Sequence, residues 1–435
     1  MKGPAGAIDP GAPPLTRRGH GWLRKLGPGL ITGAADDDPS GIATYSQAGA
    51  QFGFGMLWTL VLTYPLMVGI QLVSARIGRV TGHGLATNIR RHYPAWLLYG
   101  VIGLLLLANI INIAADLAAM GEAVALVAGG PAHLYAVGFA LLSALLQVLI
   151  PYTRYVQVLK WLTMALLAYV ATVFVVQIPW GEVLRESIVL PSLPWSPAFI
   201  TTMVAVFGTT ISPYLFFWQA SQEVEEMRSN PSARPLRDAP DEARAGLARI
   251  KLDTWVGMGF SNLVALCIML TTALTLHLHG IDDIDSSAQA ALALRPIAGE
   301  FAFLLFSMGI IGTGLLAIPV LAGSAAYAMA GAFKWPNSLQ ARPSTAGRFY
   351  IVIIIATLGG MALIFAPIDP VRALYWSAVV NGVISVPIMG VMMLLASRRD
   401  VMGELAISPR LRVLGWLGTA VMAMAVLAMG VTQLA

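Results

Sequence analysis

The chain has 435 residues, of which 57% are hydrophobic and only 11% are charged, and its formal net charge is +5. Because a soluble globular domain carries about 25% charged residues, this composition excludes an ordinary soluble enzyme, a disordered protein and a nucleic-acid-binding protein. The positive charge is typical of basic cytoplasmic loops in a membrane protein. A single cysteine, Cys267, excludes intrachain disulfides and multi-cysteine metal sites.

Eleven apolar stretches each have roughly the 20 residues that a membrane-spanning helix needs. They predict an all-α polytopic membrane protein that lies in the lipid bilayer with about eleven transmembrane helices. The predicted spans cover residues 29–50, 54–76, 96–119, 132–151, 158–178, 198–226, 254–278, 299–330, 349–366, 372–396 and 412–432.

The basic residues predict the orientation of these helices. With the N-terminus inside, 24 of the 27 Lys and Arg residues fall on the inner side, and only Arg185, Arg295 and Arg372 fall outside. Because basic residues concentrate in cytoplasmic loops, we expect a cytoplasmic N-terminus. An odd number of spans then places the C-terminus outside. We expect a multi-pass protein of a bacterial plasma membrane.

The first span contains residues that lipid does not tolerate. Asp36, Asp37 and Asp38 are followed directly by Pro39 and, two residues later, by Gly41. An acidic residue inside a membrane costs at least a few kcal/mol, so it faces a cavity or a partner. Pro39 lacks a backbone donor and Gly41 tolerates unusual dihedral angles. The pattern predicts an unwound point whose free carbonyls can bind a cation where they line a cavity.

The sixth span is interrupted in the same way, at Ser212-Pro213-Tyr214. Beyond this break a polar face follows helical spacing on the cytoplasmic half; it comprises Gln219, Gln222, Glu223 and Glu226. Two breaks five spans apart predict two five-helix repeats of opposite topology, in which the broken helices meet at the midplane and form the substrate site.

This repeat sets the predicted division of the chain. Residues 1–26 are expected to form a cytoplasmic tail, 27–178 the first repeat and 198–396 the second. The second repeat includes a charged cytoplasmic loop over 227–251, in which a short helix is predicted near 241–249. Residues 397–435 would form a loop and the eleventh helix.

Several acidic residues have more than one possible role. Asp36 and Asp37 either contact the substrate or pair with Arg or Thr side chains in the bundle. Asp116 and Glu122 in the third span are candidates for a relay, with a packing role as the alternative. The face that carries Glu223 can equally be the solvated end of a helix.

The motif Gly27-Pro28-Gly29, the run from Asp38 to Gly41 and the sequence from Ala48 to Gly53 resemble the NRAMP family of divalent-metal transporters. That family carries an Asp-Pro-Gly-Asn signature followed by Ala-Gly-Ala-Gln-aromatic-Gly. A third-helix element, Asp116-Leu117-Ala118, is similar too. The resemblance implies a LeuT-like 5+5 inverted repeat plus one helix, with helices 1 and 6 broken.

The departures from the family pattern concern the substrate. Gly41 replaces the family's Asn, and Ser212 and Tyr214 replace the Met and His of its Met-Pro-His motif; Ala119 stands where a Glu is usual. This combination is similar to the NRAMP-related magnesium transporters, which lack the methionine. A thioether favours softer transition metals, whereas oxygen ligands favour Mg²⁺, Ca²⁺ and Mn²⁺.

The resemblance implies a secondary transporter that imports a divalent cation, preferably Mg²⁺ or Mn²⁺, by alternating access with weak or absent proton coupling. The ion is the transported substrate, and no cofactor, nucleic acid or protein partner is implied. The implied metal-site residues are Asp38, Gly41, Thr209 and Ser212, and the implied pathway or supporting residues are Asp36, Asp37, Tyr214, Gln219, Glu223 and Glu226.

Three alternatives remain at the level of sequence. One is a proton-coupled transporter of Mn²⁺ or Fe²⁺. Another is a sodium-coupled symporter of a small organic solute, although three consecutive aspartates at the first break argue against it. The third is a membrane-embedded enzyme, but the sequence has no His-Glu-X-X-His motif.

Overall fold

The computed structural model describes residues 28–150, 164–188, 196–230, 232–366 and 369–434. This part of the chain is helical and contains no β-strand. The predicted tail over residues 1–26, and the part of the predicted fourth and fifth spans between 151 and 163, lie outside the described residues.

The α-helices of the described chain vary from four to 34 residues in length. They are α1 (Pro28–Asp36), α2 (Pro39–Phe52), α3 (Leu57–Thr81), α4 (Leu85–His92), α5 (Ala95–Ala128), α6 (Ala132–Leu149), α7 (Leu167–Val175), α8 (Trp180–Ile188), α9 (Pro197–Thr210), α10 (Pro213–Ser229), α11 (Ala243–Thr275), α12 (Ser287–Leu292), α13 (Arg295–Ala298), α14 (Ala302–Phe333), α15 (Gly347–Leu363), α16 (Pro370–Ser397), α17 (Arg399–Met402) and α18 (Pro409–Leu434). Short 3-10 turns link them at Gly53–Met56, Met164–Leu166, Pro240–Glu242, His277–His279, Gly299–Phe301 and Gly403–Leu405.

The lengths of these helices confirm an all-α polytopic membrane protein. Within the described ranges, eight helical stretches are long and apolar enough to cross a membrane, or nine if the bent pair α7 and α8 counts as one span. One stretch, Pro39–Thr81, continues from α2 through a 3-10 turn into α3, and so covers parts of two predicted spans. The number of eleven spans stays a prediction.

Two features differ from the sequence-based expectation. The short helix predicted near 241–249 is not separate, because α11 runs without a break for 33 residues from Ala243 into the seventh span. Ile250 and Asp253 in this part of α11 are both buried, so packing stabilises the helix beyond the apolar stretch. The second feature is α8, which the sequence did not predict and which bends by 118° away from α7 after Pro179.

Both predicted helix breaks are present. The first lies between Asp36, which ends α1, and Pro39, which begins α2. The second separates Thr210 at the end of α9 from Pro213 at the start of α10. A proline at the first helical position loses nothing, because its absent N–H would have had no intrahelical partner there. The same residue cannot continue the preceding helix, so each proline both ends one half-helix and starts the next.

The helices pack in pairs that recur between the two halves of the chain. α1 and α2 pack on α11, and α10 packs correspondingly on α3. Likewise α5 packs on α6 as α14 packs on α15, while α5 and α14 contact each other. This reciprocity is what two related five-helix units produce. The boundaries of those units at residues 27–178 and 198–396 stay a prediction.

Glycines allow the broken helices to approach their neighbours closely. A Cβ atom at Gly33 in α1 would lie 2.2 Å from the carbonyl oxygen of Gly257 in α11. A Cβ atom at Gly208, in the last turn of α9, would lie 2.1 Å from the carbonyl oxygen of Ala378 and 2.4 Å from the backbone nitrogen of Gly382 in α16. Because these neighbours are backbone atoms, they cannot move aside cheaply. Backbone contact therefore fixes where both broken helices lie.

We expect Gly208→Ala to lower the unfolding temperature of the detergent-solubilised protein by several degrees, because the added methyl group clashes with the α16 backbone. Gly103→Ala in α5 is the matched control, since a Cβ atom there has no neighbour within 4 Å. That control should be neutral or slightly stabilising, as Ala exceeds Gly in helix propensity. Equal melting temperatures for the two variants would contradict the close packing of α9 on α16.

Candidate functional site

Asp38 connects the two helix breaks. It caps α2, with its carboxylate Oδ1 accepting a hydrogen bond from the backbone N–H of Gly41 at 2.8 Å. Its second oxygen, Oδ2, accepts one from the hydroxyl of Tyr214 in the first turn of α10 at 3.0 Å. That hydroxyl also lies 3.3 Å from the carbonyl oxygen of Ala35. The predicted Asp38 and Tyr214 are therefore brought together, and Asp38 is buried at the junction.

Gly41 lies close to three oxygen atoms. The three heavy atoms nearest to the position of a Cβ atom at Gly41 are Thr209 Oγ1 at 3.2 Å, the Asp36 carbonyl oxygen at 3.4 Å and Asp38 Oδ1 at 3.5 Å. The Thr209 hydroxyl is buried and has no hydrogen-bond partner in the structure. Three of the four predicted metal-site residues, Asp38, Gly41 and Thr209, thus lie together, with oxygen atoms packed closely around Gly41.

Ser212, the fourth predicted metal-site residue, turns its hydroxyl back onto α9. Ser212 Oγ lies within hydrogen-bond distance of the carbonyl oxygens of Gly208, at 2.9 Å, and Thr209, at 2.8 Å. Ser385 in α16 donates to the carbonyl oxygen of Ile211 at 2.7 Å. Hydroxyl groups therefore satisfy carbonyls that the second break releases from the helix. Sequence reasoning missed Ser385, which appears in the sequence only as one serine within an apolar span.

Asp36 and Asp37 point to a different helix from Asp38. The hydroxyl of Ser261 in α11 lies 2.6 Å from Asp36 Oδ2 and 3.0 Å from Asp37 Oδ1. The remaining oxygens, Asp36 Oδ1 and Asp37 Oδ2, are buried without a hydrogen-bond partner in the structure. Asp38 thus contacts α2 and α10, whereas Asp36 and Asp37 contact α11. The sequence did not reveal Ser261 as their partner.

The two candidate relay residues in α5 are far apart. Asp116 is fully buried and neither of its carboxylate oxygens has a hydrogen-bond partner in the structure. Glu122 lies further toward the end of α5, where its Oε1 accepts a hydrogen bond from the backbone N–H of Ser287 at 3.3 Å. Six residues of α-helix separate Asp116 and Glu122 by about 9 Å along the axis. A relay between them would need an intermediate group.

The predicted pathway residues on α10 form a chain of polar contacts. Thr32 in α1 donates to the side-chain oxygen of Gln219, and Gln219 Nε2 lies 3.4 Å from Glu223 Oε1. Arg249 in α11 then binds both acids, with Nη2 2.6 Å from Glu223 Oε2 and Nη1 2.7 Å from Glu226 Oε2. The sequence predicted the acidic face but not Arg249, which lay in the region interpreted as a loop.

A further contact holds α1 against α11. Asp253 Oδ2 accepts a hydrogen bond from the backbone N–H of Gly29 at 2.7 Å, in the first turn of α1 where the N–H groups have no helical partner. Together with the Arg249 contacts, this bond connects α1 and α10 to α11 through polar side-chain and backbone groups.

Nitrogen and sulfur ligands do not assemble here. Within the described part of the chain, no group of three or more His, Cys, Asp or Glu side chains lies together so as to hold a metal ion. The groups nearest to Gly41 are instead one carboxylate oxygen, one hydroxyl and one backbone carbonyl. Such a donor set is typical of hard cations that keep several water ligands.

Two discontinuous helices that meet at a buried carboxylate in a multi-pass helical protein define a class, the membrane transporters with a midplane substrate site. A model of the family described as natural resistance-associated macrophage protein-like (Nramp) matches residues 29–432. The chain belongs to the Nramp family, whose members are divalent-metal transporters and not enzymes. The resemblance found in the sequence is confirmed, while the magnesium branch stays a prediction.

Individual relatives agree with this assignment. The chain is 28% identical, over 371 residues and 82% of both chains, to a protein named divalent metal cation transporter MntH from Pectobacterium carotovorum. Its structure matches that of the Eremococcus coleocola manganese transporter with a TM-score of 0.70 at 17% identity, covering 95% of this chain and 88% of the other. It also matches Mhp1, a nucleobase-cation-symport-1 family transporter, with a TM-score of 0.58 at 13% identity, covering 94% and 92%. The two structural matches show a shared fold.

We expect Arg249→Ala to destabilise the protein by about 3 kcal/mol, because it leaves the fully buried Glu223 carboxylate without its cationic partner. Adding Glu223→Gln should recover much of this loss by removing the unpaired charge. Thermal unfolding in detergent measures both effects.

Arg185→Ala is the control for that experiment. Arg185 pairs with Glu186 but is exposed, and a surface pair contributes about 0–1 kcal/mol. If Arg249→Ala melted at the same temperature as Arg185→Ala, the buried ion pair would not stabilise the closed packing of α10 on α11.

Proposed function

We propose that this transporter imports a hard divalent cation in a partly hydrated form, accepting Mg²⁺ as well as Mn²⁺. The observation that carries the proposal is the cluster of oxygens around Gly41, where Thr209 Oγ1, the Asp36 carbonyl and Asp38 Oδ1 are the three heavy atoms nearest to the position of a Cβ atom. Asp38 supplies the charge that binds the ion, and the neutral oxygens supply further ligands.

The missing side chain at Gly41 supports a hydrated ion. Mg²⁺ requires near-octahedral geometry at 2.0–2.1 Å and dehydrates reluctantly, so proteins usually hold it through one or two carboxylates and several waters. An asparagine in that position would offer the ion an amide oxygen in place of a water ligand. Glycine offers no side-chain ligand, so water completes the shell, which favours an ion that retains its hydration.

The second break supports a hard ion as well. Ser212 occupies the position of the family's methionine, and its hydroxyl contacts the Gly208 and Thr209 carbonyls. These hydrogen bonds make the two carbonyls weaker ligands for an ion, and position 212 supplies no thioether. A site without sulfur does not discriminate in favour of later transition metals. The relatives named as manganese or MntH transporters make Mn²⁺ the natural competitor.

The driving force in this proposal is the membrane potential. An inward-negative potential of 100 mV drives a divalent ion with about 4.6 kcal/mol, since each charge contributes about 2.3 kcal/mol. Tyr214 replaces the family's histidine and Ala119 its glutamate, so two proton-handling positions of the resemblance are absent. Proton coupling is therefore weak or absent.

The proposed path to the cytoplasm runs along α1 and α10. Asp36 and Asp37 lie next to Asp38, and the polar contacts through Gln219, Glu223 and Glu226 follow on α10. In the present conformation Arg249 closes this path, so alternating access requires its ion pairs to separate. In this scheme the protein lies in a bacterial plasma membrane, with its N-terminus in the cytoplasm and its C-terminus outside.

Uptake into proteoliposomes tests the proposal. We expect Mg²⁺ to enter and to be reported by a Mg²⁺-sensitive dye, with Mn²⁺ measured in parallel and a pH dye recording little proton entry. Asp38→Ala should abolish the uptake of both metals while leaving a monodisperse, folded protein, because it removes the carboxylate that lies among the oxygens around Gly41.

The control is Glu225→Gln, which changes another buried acidic side chain that accepts hydrogen bonds from Tyr327 and Ser338, and it is expected to retain uptake. Uptake by Asp38→Ala would refute the proposed ion site. Entry of Mn²⁺ without any entry of Mg²⁺, or a stoichiometric proton influx, would favour the proton-coupled transition-metal transporter instead.

A second test concerns selectivity. Ser212→Met removes the hydroxyl from the Gly208 and Thr209 carbonyls and adds a thioether, so uptake of Mn²⁺ and Cd²⁺ relative to Mg²⁺ should rise several-fold. Ser212→Ala is the matched variant, because it removes the same hydroxyl without adding sulfur. If both variants kept the original ratio, position 212 would not face the ion.

A further inference from the structure

Negative charge at the first helix break is compensated unevenly. Asp38 receives hydrogen bonds from the Gly41 N–H and the Tyr214 hydroxyl, one on each carboxylate oxygen. It also lies at the N-terminal end of α2, where the helix dipole favours an anion. The structure thus offers Asp38 several compensating interactions before any ion binds.

Asp36 and Asp37 have far less compensation. Their side chains share the hydroxyl of Ser261, and one hydroxyl carries one proton, so it can donate to only one of them at a time. Asp36 Oδ1 and Asp37 Oδ2 are buried without a partner, in residues that are only 1% and 3% exposed. Among the described residues, no Arg, Lys or His forms an ion pair with either side chain; the nearest described ion pairs on α11 involve Arg249, 12 residues from Ser261.

The local backbone adds to this negative potential. Asp36 is the last residue of α1, and the C-terminal end of a helix carries a partial negative charge. Half-helix C-termini and unwound carbonyls are the groups with which transporters of discontinuous helices bind cations. Two carboxylates, a helix C-terminus and a hydroxyl oxygen therefore converge in a buried place that lacks a cationic side chain in the described structure.

The spacing of the oxygens suits a small divalent ion. Adjacent ligands in an octahedral shell with metal–oxygen distances of 2.0–2.1 Å lie about 2.9 Å from each other. The Ser261 oxygen lies 2.6 Å from Asp36 Oδ2 and 3.0 Å from Asp37 Oδ1. Two pairs of these oxygens thus have nearly the spacing of adjacent ligands in one shell, and the two unpartnered carboxylate oxygens remain available to the ion or to its waters.

We infer that Asp36, Asp37 and Ser261 form a second divalent-cation site, beside the Asp38 site and on the α11 side of the break. Two carboxylates match the charge of one divalent ion. This inference rests on the proposed function and deepens it, because the second site receives the ion after Asp38 on its way to the inner half of the bundle. α1 and α11 both contribute ligands, so release from this site accompanies their separation.

Binding of Mn²⁺ to the purified protein in nanodiscs tests the inference, with free Mn²⁺ measured by electron paramagnetic resonance at equilibrium. Asp38→Ala removes the first site, and we expect this variant still to bind about one Mn²⁺ per chain. Adding Asp36→Asn and Asp37→Asn should abolish that binding, and adding Ser261→Ala instead should weaken it about ten-fold.

The matched control adds Glu225→Gln to Asp38→Ala; Glu225 is buried and accepts hydrogen bonds from Tyr327 and Ser338, so this pair of changes should leave the remaining Mn²⁺ bound. Excess Mg²⁺ should displace that Mn²⁺, whereas an equal concentration of Na⁺ should not. Absence of bound Mn²⁺ in Asp38→Ala, its persistence after Asp36→Asn and Asp37→Asn, or its displacement by Na⁺ would each overturn the second site.

Uptake by a variant that retains Asp38 gives an independent test of the second site. Asp36→Asn with Asp37→Asn should lower the maximal rate of Mn²⁺ uptake at least ten-fold while changing the half-saturating concentration less than two-fold, because loading at Asp38 is preserved. An unchanged maximal rate would overturn the inference. Failure of the wild-type protein to transport either metal would refute the proposed function instead, so the two failures are distinguishable.

Discussion

The organisation of this protein depends on one constraint, the satisfaction of backbone polar groups where two helices are interrupted inside a membrane. An unpaired N–H or carbonyl costs several kcal/mol in hydrocarbon, so each break needs its own partners. Asp38 accepts from the Gly41 N–H at the first break, while Ser212 and Ser385 donate to carbonyls at the second. The candidate ion site is assembled from the groups that solve this problem.

The same constraint links the binding of an ion to the positions of the helices. Tyr214 of α10 donates a hydrogen bond to Asp38, so a movement of one break relative to the other changes this bond. Arg249 of α11 also holds Glu223 and Glu226 of α10, and Asp253 of α11 holds the start of α1. The groups at the two breaks and these polar contacts therefore involve the same helices, α1, α10 and α11.

Much of the fold could be predicted from the sequence because a local run of apolar residues is enough to identify a membrane helix. Apolar length predicted the spans, and Asp38-Pro39 with Ser212-Pro213 predicted both breaks, since a proline cannot continue the helix before it. Local composition was less reliable at the helix ends. α11 begins eleven residues before its apolar stretch, because Ile250 and Asp253 are buried by helix packing, which a hydropathy pattern does not detect.

By itself, the sequence determined the helical class, the two breaks and the candidate residues Asp38 and Gly41, since all of these follow from neighbouring residues. Only the tertiary structure decided which oxygens share a space. Thr209 approaches Gly41 across 168 positions of chain, and Ser261 reaches Asp36 across 225. Arg249 likewise became a partner of Glu223 only when α11 proved continuous through the region predicted to be a loop. Contacts of this kind depend on how helices pack against each other. A local sequence pattern in one helix does not reveal which helix packs against it.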